Sequence, residues 1–295
     1  MDRFLGTRWQ SSVRCLIDEL YHHSSTSPQS ATFDNNSQKA LDALSQRWME
    51  RVAILYAEPH RAYHNMTHVQ DVIASLDFLL EGEECTSRSE AILILSAFFH
   101  DVVYNPKSST NEKDSADLFL QFASEISTIF VSSQKHHGAS ISGDGNDERL
   151  PTQDSSCNMV MQIEECIIAT SNHISSAGKA NENYNHILAT FLDADMSILG
   201  KGVDIYNKYA GSIRREYEFV ERNVYCNKRA NVLESFLPLM DNANGGCKTG
   251  NNALKKHSYI YATGKGRQQW EEQARRNLTN EIELLRRGII PCEIQ

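Results

Sequence analysis

The sequence predicts an all-α fold, and three observations carry that prediction. Apolar residues recur at helical spacing over most of the 295 residues, and few segments alternate apolar and polar residues over a strand's length. Tight hairpin signals such as Asn-Gly fall only in polar, loop-like stretches. Hydrophobic residues make up 40% and charged residues 23% of the chain, which is typical of a folded globular protein.

Each expected helix is placed by its apolar stripe. The predicted helices cover, in chain order, residues 9–21, 41–55, 69–79, 91–99, 109–122, 159–170, 184–199, 203–220, 228–237 and 268–287. A polar loop over 24–37 follows the first helix. Pro59 ends the second because proline cannot continue a helix, and Gly82 follows the third.

Local signals place the ends of the later helices. The fourth helix is apolar on nearly all sides, which indicates a position at the centre of a bundle. Ser109 and Glu112 have the spacing of a capping box that opens the fifth helix. Gly200 is expected to cap the seventh helix, Pro238 stops the ninth, and Gly288 follows the last.

Two polar stretches, near residues 134–157 and 241–256, are predicted loop insertions because they are rich in Gly, Ser, Asp and Asn. Neither separates two self-sufficient cores, so we expect a single all-α domain over residues 1–295. The N-terminus lacks a signal-peptide pattern, and the longest apolar run is too short to span a bilayer. Seven scattered cysteines without a C-x-x-C pair favour reduced thiols and a cytoplasmic protein.

The formal charge of −9 argues against binding to nucleic acid or to an anionic membrane. A phosphorylated substrate would therefore need a local cluster of positive charge. Arg214 and Arg215 are candidates for substrate binding, since arginine binds phosphate oxygens through two parallel hydrogen bonds. Adjacent residues point apart on a helix, so at most one of them is expected to face the substrate. The sequence indicates no oligomeric state.

Four polar side chains stand at the edges of apolar segments: His68, His100, Asp101 and Asp195. Such side chains are costly to bury without a partner, and one divalent cation would satisfy all four. Two nitrogen and two oxygen ligands leave room for water, so Mn²⁺, Fe²⁺, Mg²⁺, Ni²⁺, Co²⁺ and Zn²⁺ all fit. Asp193 is the alternative to Asp195, because residues two apart on a helix point in different directions. Taken singly, each motif also fits a structural histidine or a solvated aspartate.

Several motifs occur together in a fixed order. They are E-P-H-R-A-Y-H-N-x-x-H, F-F-H-D after an apolar helix, N-E-K-D-S-A, I-A-T-S-N-H, D-A-D-x-S, I-R-R-E-Y and A-R-R-N-L. The set resembles the HD superfamily of metal-dependent phosphohydrolases, and more narrowly the group described as predicted metal-dependent HD hydrolases. The resemblance covers most of the chain outside the two insertions, and it implies an HD-type helical bundle.

The resemblance also implies roles for individual residues. The metal ligands would be His68, His100, Asp101 and Asp195. His64 matches the histidine that acts as general acid in the more distantly related cyclic-nucleotide phosphodiesterases. Glu112 could orient the attacking water, or it could only complete its capping box. His173 could bind substrate phosphate or a second metal ion, or it could be a surface histidine.

The function that these features indicate is hydrolysis of a phosphate ester, on a nucleotide or another small phosphorylated metabolite, by water that a divalent metal activates. One alternative is an HD-type di-iron oxygenase, which needs two further histidines; the chain offers His173 and either His136 or His137. Another is a non-catalytic HD module that senses a nucleotide.

Overall fold

The computed structural model describes residues 3–24, 35–136, 159–172, 186–237 and 259–291. These ranges contain helices and loops and no β-strand, which confirms the all-α class. They hold ten α-helices, here α1 to α10: Arg3–Ser24, Asn35–Tyr56, Met66–Leu80, Ser87–Phe99, Asn111–His136, Met159–Ala169, His186–Asp195, Val203–Glu216, Arg222–Phe236 and Gly264–Arg286. Two 3₁₀ helices, Thr170–Asn172 and Met196–Gly200, follow α6 and α7.

Each predicted helix overlaps one observed helix, and the differences lie at the ends. α5 continues to His136, beyond the predicted start of the first insertion. Residues 137–157 and 241–256 of the two insertions lie outside the described ranges. α5 begins at Asn111, so Thr110 and not Ser109 stands directly before it, and the predicted capping box is out of register by one residue. Gly82 follows α3 with a φ of 77°, as its stop signal predicts.

Gly200 has a different role from the predicted helix cap. It ends a 3₁₀ helix, and the described glycines with positive φ are Gly82 and Gly288. A Cβ added at Gly200 would lie 2.3 Å from the Cβ of Trp270 and 2.7 Å from its Cα. Gly200 is therefore required for the close approach of α10, and its left-handed conformational freedom is not used.

The chain divides into two compact units. Unit 1 comprises Met1–Ala57 and Glu84–Ile168, and unit 2 comprises Glu58–Glu83 and Ala169–Gln295. Each unit is formed by two segments of the chain. The expectation of a single domain stays a prediction. Within the described ranges, no helix has both the length and the apolar character that crossing a membrane requires.

Unit 1 has an aromatic core to which α1, α2, α4 and α5 contribute. The ring of Trp9 lies 5.2 Å from that of Phe98 and 5.6 Å from that of Phe122, measured between centroids. Trp48 lies 5.3 Å from Phe122 on the same scale. α4 is buried on all sides beyond its first turn, because every residue from Ala91 to Phe99 is buried. The prediction of a central helix made from its all-round apolar character is thus confirmed.

Polar contacts position the helices of unit 2. α3 packs against α7 and its 3₁₀ extension, where the Ser75 and Ser197 hydroxyls lie 2.8 Å apart and buried. The Asn277 amide on α10 donates to the carbonyls of Leu199 and Lys201, each at 2.8 Å. These contacts hold α3, α7 and α10 together around the 3₁₀ helix that follows α7.

Candidate metal centre and adjacent histidine

The first predicted ligand pair lies within unit 2. His68 is in the first turn of α3, and Asp195 is the last residue of α7. His68 Nε2 lies 3.1 Å from Asp195 Oδ1, and the two side chains are only 3% and 11% exposed. Because α3 and α7 pack against each other, two residues 127 positions apart in the sequence come into contact; that they bind a metal ion stays a prediction.

The second predicted pair lies within unit 1. His100 follows the last residue of α4, and its Nε2 lies 3.0 Å from Asp101 Oδ2. Its Nδ1 lies 3.0 Å from the carbonyl oxygen of Ala97. A carbonyl only accepts hydrogen bonds, so Nδ1 donates to Ala97, and Nε2 is the ring nitrogen that faces Asp101, either as a metal ligand or as a second N–H donor. This is the arrangement by which backbone carbonyls orient metal-binding histidines.

Within each pair, the two ligand atoms are spaced as adjacent ligands of a metal ion would be. Two ligand atoms at right angles, each about 2.1 Å from an octahedral ion, are about 3.0 Å apart. The observed nitrogen–oxygen distances are 3.1 Å in the His68 pair and 3.0 Å in the His100 pair. The same distances suit N–H···O hydrogen bonds, so each pair is suitable for a metal without requiring one. That all four side chains bind the same ion stays a prediction.

His64, the predicted general acid, forms a tight contact with Glu216, the last residue of α8. His64 Nδ1 lies 2.6 Å from Glu216 Oε2, and the Glu216 side chain is fully buried. The other oxygen, Oε1, accepts hydrogen bonds from the backbone N–H groups of Tyr63 and His64 at 2.7 Å and 2.9 Å. Burial alone raises the pKa of Glu216, but these hydrogen bonds and the charge of His64 lower it to about 2. Glu216 is therefore a carboxylate at neutral pH.

Further contacts hold the loop before α3. Arg61 is buried, its Nε lies 3.0 Å from Glu58 Oε2, and its Nη1 donates to the carbonyl of His64 at 3.0 Å. Asn65 Oδ1 accepts from the N–H of Thr67 at 2.9 Å and caps α3. The guanidinium of Arg61 contacts the loop through both a side chain and a backbone carbonyl. The backbone of residues 58–65 is thus fixed on both sides of His64.

Aromatic contacts bring this loop next to the first ligand pair. The ring of Tyr63 lies 4.7 Å from that of His68 and 4.7 Å from that of Tyr209, between centroids. The rings of His64 and His68 are 5.8 Å apart, nearly perpendicular. A histidine with a carboxylate partner therefore stands beside a predicted metal ligand within one unit.

Asp193, the alternative to Asp195, is neither solvated nor directed at His68. It is fully buried, and it accepts hydrogen bonds from the N–H groups of Ala262 and Thr263 at 2.7 Å and 2.8 Å and from the Thr263 hydroxyl at 2.6 Å. Burial raises the pKa of Asp193 to about 6, although these hydrogen bonds lower it. Both carboxylate oxygens of Asp193 hold the segment that opens α10. Of the two aspartates, Asp195 is therefore the one that contacts His68.

The remaining predicted residues are not brought to either pair by any observed contact. Arg214 Nη1 donates to the carbonyls of Tyr217 and Val220, and its guanidinium lies 4.7 Å from the ring centroid of Tyr225. Arg215 is exposed, and Glu112 is half-buried in the first turn of α5 in unit 1. His173 and His137 lie outside the described residues, as does the side chain of His136. Their roles stay predictions.

The sequence gives no signal that singles out Glu216, although this residue lies in the I-R-R-E-Y motif. A glutamate at the polar end of a helix gives no signal of burial, because its partner is 152 residues away. Searches of family models, curated proteins and solved structures find no match to the chain. The assignment of function therefore depends on the site and on the motif resemblance.

Proposed function

We propose that the protein is a metal-dependent phosphohydrolase of the HD type that acts on a nucleotide or another small phosphorylated metabolite. The observation that carries this proposal is the group within unit 2, where His64, bonded to a buried carboxylate, stands beside the His68–Asp195 pair. A metal site with an adjacent acid is what hydrolysis of a phosphate ester needs.

His68 and Asp195 would supply one nitrogen and one oxygen ligand, and His100 and Asp101 would complete the set. The separation within each pair and the Nδ1 contact of His100 support this choice. A divalent cation bound there would acidify water and polarise a phosphoryl oxygen. The donor set suits Mn²⁺, Fe²⁺, Mg²⁺, Ni²⁺, Co²⁺ or Zn²⁺, and His173 is the candidate for a second ion.

His64 would protonate the leaving oxygen of the ester through Nε2, since Nδ1 faces Glu216. General acid catalysis of this kind contributes about 10²–10⁴-fold to a rate. Glu112 would orient the attacking water. Arg214 or Arg215, with His173, would bind the substrate phosphate.

Metal analysis followed by a phosphatase and nucleotidase screen with the metal found tests this function. We expect one divalent ion per chain and release of phosphate from at least one substrate. His68→Ala and His100→Ala should each remove the same ion, because the two pairs are proposed to share it, and His68→Ala and Asp101→Ala should abolish turnover. Turnover that survives in both of the latter variants would contradict the proposal.

Glu271→Gln is a matched control for these variants. Glu271 is a carboxylate of unit 2 that accepts hydrogen bonds from the backbone N–H groups of Ile260 and Tyr261 and pairs with Arg275. It should keep the metal and the activity. Two irons per chain with oxygen consumption would instead identify the di-iron oxygenase, and ligand-induced thermal stabilisation without product would identify a sensing module.

A further inference from the structure

His64 and Glu216 form a pair in which the two carboxylate oxygens of Glu216 contact different groups. Oε1 receives the two backbone N–H groups of the loop, and Oε2 receives the ring of His64. The loop contact fixes where the ring is attached, and the ring contact fixes how it is turned. One side chain thus sets both the place and the orientation of the imidazole.

We infer that Glu216 is a positioning residue that keeps a hydrogen on Nδ1 of His64 and so leaves Nε2 as the nitrogen that serves the substrate. This inference rests on the proposed phosphohydrolase function, in which the doubly protonated ring of His64 gives its Nε2 hydrogen to the leaving oxygen and returns to the neutral form with a hydrogen on Nδ1 alone. A carboxylate has no hydrogen to donate, so the 2.6 Å contact requires that Nδ1 is the donor.

The surroundings support a dedicated role for this carboxylate. Burying a charged group is costly unless it is paired and hydrogen-bonded, and Glu216 is fully buried at the end of α8. The carbonyl of His64 is held separately by Arg61 at 3.0 Å. The backbone of the loop therefore keeps a fixing contact on one side even when the Glu216 contact to the ring is changed.

Glu216→Gln separates the two tasks of the side chain. The amide oxygen of glutamine can replace Oε1 and accept from Tyr63 and His64 N–H, which places the NH₂ group against Nδ1. The opposite orientation would set that NH₂ group against two N–H donors. The NH₂ group donates, so Nδ1 must accept, and the hydrogen of His64 moves to Nε2. The variant should keep the loop and invert the tautomer.

Nitrogen NMR of histidine-labelled protein measures the tautomer without any need for turnover. Spectra are recorded above the ordinary histidine pKa of about 6.5, and His64 is assigned by its absence from the His64→Gln spectrum. We expect the hydrogen on Nδ1 in the native chain and in the Glu271→Gln control, and on Nε2 in Glu216→Gln. The same tautomer in all three proteins would overturn the inference.

Turnover then tests whether the positioning matters. For an alkyl phosphate, whose leaving oxygen needs a proton, Glu216→Gln should lower kcat by about 10²–10⁴-fold. For nitrophenyl phosphate, whose leaving group is stable as an anion, the loss should be much smaller. In the His64→Gln background, Glu216→Gln should cause no further loss. Equal losses for both esters would indicate a purely structural role and contradict the inference.

The two readouts separate failure of the inference from failure of the proposed function. If no phosphate ester is hydrolysed, or if His64→Gln slows both esters equally, the proposed role of His64 in phosphate ester hydrolysis is wrong. The NMR measurement of the tautomer still tests whether Glu216 sets the position of the hydrogen on the ring. If His64→Gln lowers kcat more for the alkyl ester than for the nitrophenyl ester and Glu216→Gln does not, His64 is the general acid and the positioning role of Glu216 is wrong.

Discussion

Unit 1 buries aromatic rings against one another, whereas unit 2 buries charged side chains and surrounds each with hydrogen-bond partners. In the described part of unit 1, no Asp, Glu, Lys or Arg is buried, and the polar groups of its interior are four serines and His100. The described part of unit 2 buries four charged residues: Arg61, Asp193, Glu216 and Glu281. Both units bury many apolar side chains, so the described parts differ in whether charged side chains are buried with them.

Three of the four buried charges of unit 2 hold segments without regular secondary structure, and the fourth, Glu281, joins residues on helices. Arg61 and Glu216 hold the loop that carries His64, and Asp193 holds the segment that opens α10. Hydrophobic contacts are not directional, so they pack helices well but do not orient a loop or a ring. The comparison indicates that buried charge is found where unit 2 must hold a geometry, and that unit 1 depends mainly on packing.

The largest expected effect of a single change is at Glu281. Its Oε1 pairs with Arg229 Nε at 3.1 Å, and its Oε2 accepts from the hydroxyl of Tyr206. Glu281→Leu leaves the guanidinium of Arg229, whose side chain is only 11% exposed, without its carboxylate. We expect the free energy of unfolding to fall by about 3–5 kcal/mol in urea denaturation. Arg229→Met in the same chain should restore part of that loss. A double variant less stable than Glu281→Leu would contradict the interpretation.

A second prediction concerns pH and Glu216. Its pKa is about 2 in the folded protein against an ordinary value of 4.5, so the unfolded chain takes up a proton before the folded one does. The pair therefore contributes stability above pH 4.5, and this contribution is lost as the pH falls toward 2. A shift of this size corresponds to about 3 kcal/mol.

Urea denaturation of the native chain and of Glu216→Gln at several pH values measures this contribution. The difference in unfolding free energy between the two should shrink as the pH falls from 4.5 toward 2. Subtracting the variant removes the contributions of all other carboxylates. A difference that does not change with pH would show that Glu216 is not a strong acid in the folded protein.

The sequence predicts the elements of both units but not the long-range contacts of unit 2. Apolar periodicity is a local property, so it locates α4 and the helices that carry His68 and Asp195. The pairing of those two residues follows from the motif resemblance, which includes information beyond local pattern. No local pattern indicates that Glu216 meets His64, that Asp193 turns inward, or that Gly200 makes room for α10. Each of these depends on packing between segments far apart in the chain.

The smallest expected effect is at Phe122 in the core of unit 1. Its ring lies 5.6 Å from that of Phe99 and 5.3 Å from that of Trp48. Phe122→Leu exchanges one apolar side chain for another of similar size without leaving a polar group unsatisfied, so we expect a loss of less than about 1.5 kcal/mol. The fluorescence of Trp9 and Trp48 reports unfolding of unit 1, and Trp270 is the third tryptophan of the chain.

Phe122→Gln is the comparison variant. It buries an amide, so it should lower the free energy of unfolding clearly more than Phe122→Leu does. If Phe122→Leu destabilised the protein as much as Glu281→Leu does, apolar packing in unit 1 would be as specific as buried charge in unit 2, and the distinction between the units would fail.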